Sequence, residues 1–225
     1  MKFDKPAGEN PIDQLKVVGR PHDRIDGPLK TTGTARYAYE WYEEAPNAAY
    51  GYIVGSAIAK GCLTALDTDA AQKAPGVLAV ITASNAGALG KGDKNTARLL
   101  GGPTIEHYHQ AIALVVAETF EQARAAASLV QAHYRRNKGA YSLADEKQAV
   151  NQPPEDTPDK NVGDFDGAFT SAAVKIDATY TTPDQSHMAM EPHASMAVWD
   201  GNKLTLWTSN QMIDWCRTDL AKTLK

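Results

Sequence analysis

Residues 50–82 read YGYIVGSAIAKGCLTALDTDAAQKAPGVLAVIT, and this stretch decides the fold class. Tyr50 to Ile58 is rich in aromatic and β-branched residues and predicts a strand. Ala59-Lys60-Gly61 supplies a tight turn, and Cys62 to Leu66 predicts a returning strand. Asp67 or Thr68 is suited to cap a short helix through Gln72. Pro75-Gly76 stops that helix. Val77-Leu78-Ala79-Val80-Ile81 is apolar throughout, the pattern of a strand buried on both faces.

C-terminal to this core, Ala83 to Pro103 is polar and glycine-rich, and Ala111 to Ala117 predicts another buried strand. Glu118 to Tyr134 predicts the best helix of the chain. Thr119 is placed to cap it, Glu118 and Glu121 lie near its positive end, and Phe120, Ala123, Ala127, Val130 and Tyr134 recur near helical spacing. Strands alternating with helices argue for an α/β or α+β unit over residues 17–136.

Residues 1–16 hold Pro6, Gly8 and Pro11 among polar neighbours and read as an arm without a core. Residues 137–162 include Asn151-Gln152-Pro153-Pro154-Glu155-Asp156-Thr157-Pro158-Asp159-Lys160, the composition of a linker or surface crossing. Residues 163–225 form a second unit. Asp164 is suited to cap a helix through Ala172, and Val174 to Thr182 alternates like a half-buried strand. His193 to Trp199 and Leu204 to Thr208 flank the hairpin turn Asp200-Gly201-Asn202. Gln211 to Leu224 predicts a helix with no stop signal. Two or three strands and one helix do not close a core, so the expectation is an incomplete unit and a chain that is the front piece of a longer one.

The 225 residues carry 23 Lys+Arg against 27 Asp+Glu, a net charge of −4, which argues against generic nucleic-acid binding or polybasic membrane anchoring. No apolar run reaches the roughly 20 residues of a membrane span. The N-terminus lacks the apolar core of a secretory signal, so the expected compartment is cytoplasm, or periplasm if a partner's signal carries the complex. Cys62 and Cys216 fit no metal spacing and read as reduced thiols, with a single bridge between them as the alternative.

Taken by themselves, the remaining residues point to little chemistry. No phosphate loop, dinucleotide fingerprint, zinc-protease helix or nucleophile elbow is present. His107-Tyr108-His109 would place two imidazoles on one face of an extended segment, but two ligands do not make a metal site, and a half-exposed strand edge explains them. His187, Glu191 and His193 fit a strand entry with polar flanks, a partial metal site or a pocket wall. Asp23, Arg24, Asp26 and Lys30 read as a salt-bridged loop, with docking as the alternative. Trp199, Trp207, Trp215 and Tyr180 suit core or interface packing. Gln211 follows a strand and opens a helix. There an amide satisfies free helix N–H groups, or meets a ligand at a strand end.

Three stretches together carry a resemblance. Gly19-Arg20-Pro21-His22-Asp23-Arg24-Ile25-Asp26-Gly27-Pro28-Leu29-Lys30-Thr31-Thr32-Gly33-Thr34-Ala35-Arg36-Tyr37 resembles the opening of the large molybdenum subunit of the xanthine dehydrogenase and aldehyde oxidase family. Ala74 to Thr82 followed by Ile112 to Thr119 resembles the body of that family's a/b hammerhead domain. Met190-Glu191-Pro192-His193-Ala194, then Leu206-Trp207-Thr208-Ser209-Asn210-Gln211, resembles the start of its molybdopterin-binding domain. Within the family the likeness is greatest to the molybdenum-binding subunit of bacterial three-subunit aldehyde oxidoreductases.

The resemblance implies a hammerhead domain followed by a truncated molybdopterin-binding domain. It implies a subunit of an enzyme that hydroxylates aldehydes to carboxylic acids with water as oxygen donor. The cofactor would be molybdenum–molybdopterin cytosine dinucleotide, and electrons would leave through an iron–sulfur small subunit and an FAD medium subunit. Gln211 matches the family glutamine that hydrogen-bonds the oxo ligand on molybdenum, and Glu191 matches the acid of the Met-Glu-Pro segment, a supporting residue rather than a proton carrier. No direct metal ligand is expected. The family's Gly-Gly-Phe-Gly-Gly loop and catalytic glutamate are absent from residues 1–225, so no catalytic residue is assigned and the chain alone is expected to be inactive. Where relatives read Gly-Gln-Pro, this chain has His109-Gln110-Ala111, and Cys62 stands where a basic residue is common. A purine or heteroaromatic hydroxylase, or a non-catalytic binding module, are the alternatives.

Overall fold

The computed structural model describes residues 16–93, 102–146 and 162–225, together with Gly8, Leu100 and Lys160. Most of the expected arm and the middle of the 137–162 crossing lie outside the described residues. In chain order the elements are α1 (Gly27–Thr31), β1 (Tyr50–Gly55), β2 (Gly61–Asp67), α2 (Asp69–Gln72), β3 (Val77–Thr82), β4 (Thr104–Ile105), β5 (Ala111–Ala117), α3 (Phe120–Ala127), β6 (Gln131–Arg136), α4 (Phe165–Ser171), β7 (Ser195–Asp200), β8 (Lys203–Thr208) and α5 (Ile213–Leu224). Single 3-10 turns cover Ala38–Glu40 and Tyr42–Glu44. The chain divides into two compact units, one of Met1–Pro46 with Ala189–Gln211, the other of Asn47–Met188 with Met212–Lys225.

The larger unit holds two three-stranded antiparallel sheets, ordered β1-β5-β3 and β4-β2-β6. β5 is the centre of the first, and its Ala113, Val115 and Ala117 are fully buried. Ala113 and Val115 pack with Val80, Ala71 and the α3 residues Ala126 and Ala127. Alanines along α3 let the helix lie close to the sheet, while its flanking Val130 and the strand residues Tyr52 and Val54 fill the margin. A second cluster of Ile58, Ile105 and Ile112 sits against Leu63, Leu66, Ala132 and Tyr134.

The caps follow the sequence. Thr119 Oγ1 accepts a hydrogen bond from Gln122 N at 3.2 Å, and Thr119 N donates to Gln122 Oε1 at 3.0 Å, a reciprocal capping box. Gly76 lies against this box with φ +75°, and its carbonyl accepts from Glu118 N at 2.9 Å. Asp164 Oδ1 accepts from Gly167 N at 3.0 Å and caps α4.

Five expectations need correction. β1 and β2 do not form a hairpin. β1 pairs with β5, and β2 pairs with β4 and β6. Ser56 Oγ bridges Ile58 N (3.1 Å) and Ile58 O (2.9 Å), and Gly61 has φ +152°, so the chain turns away into the second sheet. β3 is not buried on both faces, because Leu78 is 58% exposed, and among the described strands it pairs with β5 alone, at the edge of the sheet. The helix expected over 118–134 ends at Ala127. Ser128 Oγ bonds back to Ala125 O at 2.6 Å, and residues 131–136 form β6, with Ala132 and Tyr134 turned inward. Val130, Ala132 and Tyr134 satisfy a period of two, and pairing with β2 selects it. Residues 174–182 form no strand. No described strand pairs with them, and Tyr180 is 85% exposed.

Finally, His107 to His109 is a turn rather than a strand edge. His109 has φ +62°, the left-handed conformation a glycine would adopt there. Its imidazole fills the space beside Gly55, where a Cβ would lie 2.5 Å from the ring. The buried Gln110 then holds the loop, accepting from Glu106 N and donating to Thr104 O, each at 2.9 Å. Cys62 faces Arg135 across the β2–β6 ladder, and Arg135 Nη2 donates to its Sγ at 3.6 Å. Both cysteines are free thiols.

In the same unit, the segment Leu89 to Asp93 clasps the C-terminal half of α5. Gly90 N donates to Thr223 O at 2.8 Å, Asp93 N donates to Asp219 Oδ1 at 2.9 Å, and Lys222 Nζ pairs with Asp93 Oδ2. Thr223 is the buried residue of α5. A Cβ on Gly90 would meet Lys222 O at 1.9 Å, so glycine is required by close backbone approach. Among the described residues, no helix is long and apolar enough to cross a membrane.

Candidate functional site

Glu191 and Gln211 both fall in the smaller unit. β7 and β8 pair antiparallel from Ser195↔Thr208 to Asp200↔Lys203, with Gly201 (φ +58°) in the turn. Glu191 precedes Ser195, and Gln211 follows Thr208. Both therefore lie beyond the open end of the hairpin, opposite its turn, and Ser195 Oγ and Thr208 Oγ1 are 2.7 Å apart across that end.

Gln211 is exposed, just before Met212 and the first turn of α5. Glu191 is half-buried, and its Oε1 accepts a hydrogen bond from Ala38 N at 3.2 Å. Ala38 is the buried residue of the 3-10 turn Ala38–Glu40. That turn is itself fixed by Tyr37 N donating to Glu40 Oε2 at 2.7 Å. The Met-Glu-Pro segment is thus tied to residues some 150 positions earlier (|i−j| = 153).

A second tie involves residues that sequence reasoning treated only as packing or passed over. Trp41 stacks on Trp207 of β8, with ring centroids 6.2 Å apart and planes 23° from parallel. The Arg36 guanidinium lies 4.2 Å from the Trp41 ring centroid. Its Nη2 pairs with Glu43 Oε1 at 2.6 Å and also donates to Glu40 O. A hydrogen bond from the backbone of Glu43, and then the Arg36 guanidinium, hold the Glu43 carboxyl below its usual range. The sequence signal was present as Arg36, Trp41 and Glu43 at short spacing, but nothing local identified Trp207 as the partner.

The other candidates do not converge. Asp26 pairs with Arg24 Nε at 3.5 Å and with Lys30 Nζ at 2.5 Å, the ion pairing expected from sequence but set at the short helix α1 rather than in a loop, and the hydrogen bond from Lys30 lowers the Asp26 pKa. His107 Nδ1 lies 3.0 Å from Tyr108 O. Among the described residues, no group of three or more His, Cys, Asp or Glu side chains is set to hold a metal ion, so neither the His107/His109 pair nor the His187/Glu191/His193 run forms a ligand set. Trp199, Trp215 and Tyr180 are largely exposed.

Against this geometry, residues 33–138 match the family model described as the aldehyde oxidase and xanthine dehydrogenase a/b hammerhead domain, and residues 144–225 match the molybdopterin cofactor-binding domain. The chain is 99% identical over all 225 residues to the aldehyde oxidoreductase molybdenum-binding subunit PaoC of Escherichia coli K12, and spans 31% of that protein's length. Among solved structures, it resembles the aldehyde oxidoreductase of Desulfovibrio gigas (TM-score 0.63, 25% identity, 81% of this chain and 22% of that one). It shares its fold with quinoline 2-oxidoreductase of Pseudomonas putida 86 (TM-score 0.70, 21% identity, 88% of this chain and 27% of that one). With both domain models matched in order and a near-identical molybdenum-binding subunit covering every residue, the chain belongs to the aldehyde oxidase and xanthine dehydrogenase family, of which it carries hammerhead and molybdopterin cofactor-binding regions.

Proposed function

We propose that this chain is part of the molybdenum-cofactor-binding subunit of an oxidoreductase that converts aldehydes to carboxylic acids, with water as the oxygen source. The observation that carries the reading is near-identity, across every residue, to a molybdenum-binding subunit named for aldehyde oxidation. The cofactor is molybdenum–molybdopterin cytosine dinucleotide, and the electrons leave through partner subunits carrying iron–sulfur clusters and FAD. The matches at 33–138 and 144–225 support a hammerhead domain followed by a cofactor-binding region, to which this reading gives the bounds 17–136 and 163–225.

The residues present fit such a group. Gln211 offers an exposed neutral amide where a strand ends and a helix begins, and would present an N–H donor to the cofactor there without adding charge. Glu191 is already engaged with Ala38 N, which suits a supporting carboxylate rather than a proton carrier. When bound, the cofactor supplies two-electron redox chemistry at a metal held by its own organic ligand. The general base is not assigned to any residue of this chain, and residues 1–225 alone are inactive.

The test is metal and nucleotide content of the natural full-length product, co-expressed with its neighbouring subunits. Near one molybdenum per polypeptide, with CMP released on hydrolysis, together with aldehyde-dependent dye reduction, is the expected result. Turnover of purines or other heteroaromatic rings without aldehyde oxidation would move the reading to that branch. No molybdenum, from cells that make the cofactor, would refute it in favour of a binding module.

A further inference from the structure

We infer that Arg36 is a positioning residue for Gln211, acting through the Trp41–Trp207 stack. The inference rests on the reading that Gln211 faces the molybdenum cofactor. Gln211 lies four positions beyond Trp207 on the same chain run, past the end of β8, and just before Met212, whose side chain makes no cap hydrogen bond to α5. How β8 is held at its open end therefore bears directly on where Gln211 sits.

The structure supplies that hold from residues 36–43. Trp41 covers one face of Trp207, and the Arg36 guanidinium sits on Trp41. Arg36 is itself fixed by Glu43 and by the carbonyl of Glu40. The same segment receives Glu191 at Ala38 N, so both strands are gripped at the end where Glu191 and Gln211 emerge. A planar, delocalised cation suits this place. The Arg36 guanidinium lies over an aromatic face while one of its nitrogens, Nη2, reaches both the Glu43 carboxylate and the Glu40 carbonyl, and the compact ammonium of lysine has no such plane. Small displacements of a group that orients a reacting centre are costly, on the order of a hundredfold in rate per ångström.

The experiment uses the full-length protein in its natural complex, with Arg36→Ala, Arg36→Lys, Gln211→Ala and the Arg36→Ala/Gln211→Ala double variant. The expected result is unchanged molybdenum content in Arg36→Ala, with kcat lower by roughly tenfold to a hundredfold and KM nearly unchanged. Its molybdenum EPR signal shifts in the same direction as that of Gln211→Ala. The double variant is no slower than Gln211→Ala, because residues acting as one unit are not additive. Arg36→Lys, which keeps the charge and is the milder risk to folding, falls between wild type and Arg36→Ala. Effects that multiply in the double variant, an unshifted EPR signal, or activity lost only in proportion to molybdenum would each overturn the inference while leaving the cofactor reading intact. A wild-type complex without molybdenum would overturn both.

Discussion

Gly76→Ala is the sharpest probe of how the hammerhead helix is anchored. Gly76 has φ +75°, and a Cβ there would lie 2.3 Å from the Gln122 side chain amide. Alanine in the left-handed region costs about 1–2 kcal/mol relative to glycine. The methyl group also expels Gln122 from the capping box, and losing that cap costs about 1 kcal/mol more. The sum, about 2–3 kcal/mol, falls on the opening of α3 and corresponds to a loss of amide protection of roughly 30- to 140-fold. Hydrogen exchange by mass spectrometry on the full-length protein reads it, in the regime where exchange follows the opening equilibrium. Peptides covering α3 should lose protection, while those covering β7 and β8, in the other unit, should not. Gln122→Ala gives the internal check. Alone it costs about 1 kcal/mol, and in the Gly76→Ala background only a few tenths, because the contact is already gone. Protection in α3 within about threefold of the parent, less than 0.7 kcal/mol, would refute the argument.

Other substitutions follow the same logic. Val115→Ala, at the fully buried centre of β5, should lower stability by about 2–3 kcal/mol, whereas Leu78→Ala on the exposed side of β3 should cost under about 1 kcal/mol. Paired denaturation curves compare the two. His109→Val forces a β-branched residue into the left-handed region and should cost about 1–2 kcal/mol, while His109→Gly should be at least as stable as the parent in thermal melts. The Asp26 and Glu43 carboxyls both titrate below their unfolded values, Asp26 through the hydrogen bond from Lys30 and Glu43 through a backbone hydrogen bond and then Arg36. Their stabilisation is therefore complete above the ordinary carboxylate range and is lost as pH falls through the lowered folded values. Asp26→Asn should flatten the acid limb of a stability–pH curve at low salt, and a limb unchanged by the substitution would count against the pairing.

Local patterning was readable where one period had no rival. Ala111 to Ala117 is apolar throughout and became the central strand, and the residues of Thr119 and Asp164 caps stand where their helices start. Patterning failed where two periods fit. Phe120 to Tyr134 satisfies helical spacing, but its last third also alternates, and only the β2 partner decides between them. It failed again for β1 and β2, because a tight turn between two strands looks the same whether they pair or enter different sheets. At the candidate site, the positions of Gln211 and Glu191 drew notice from the residues themselves, their roles toward the cofactor came only with the resemblance, and their surroundings were not reachable locally. The contacts of Trp41 with Trp207 and of Glu191 with Ala38 join segments over 150 residues apart, and no window of sequence contains both partners.

The clasp of α5 by the Gly90–Asp93 segment sets a schedule for synthesis. Asp93 and Lys222 are 129 residues apart, so on a ribosome adding about 5–20 residues per second the glycine segment emerges roughly 6–26 s before its helix does. Closing so long a loop directly would cost about 4 kcal/mol in chain entropy, as much as or more than an exposed ion pair, a backbone hydrogen bond and a backbone-to-carboxylate hydrogen bond return together. The strands between them must therefore be folded first, to bring the ends near one another. The clasp is a late latch: it closes on a finished hammerhead and gives the nascent chain no help in making one.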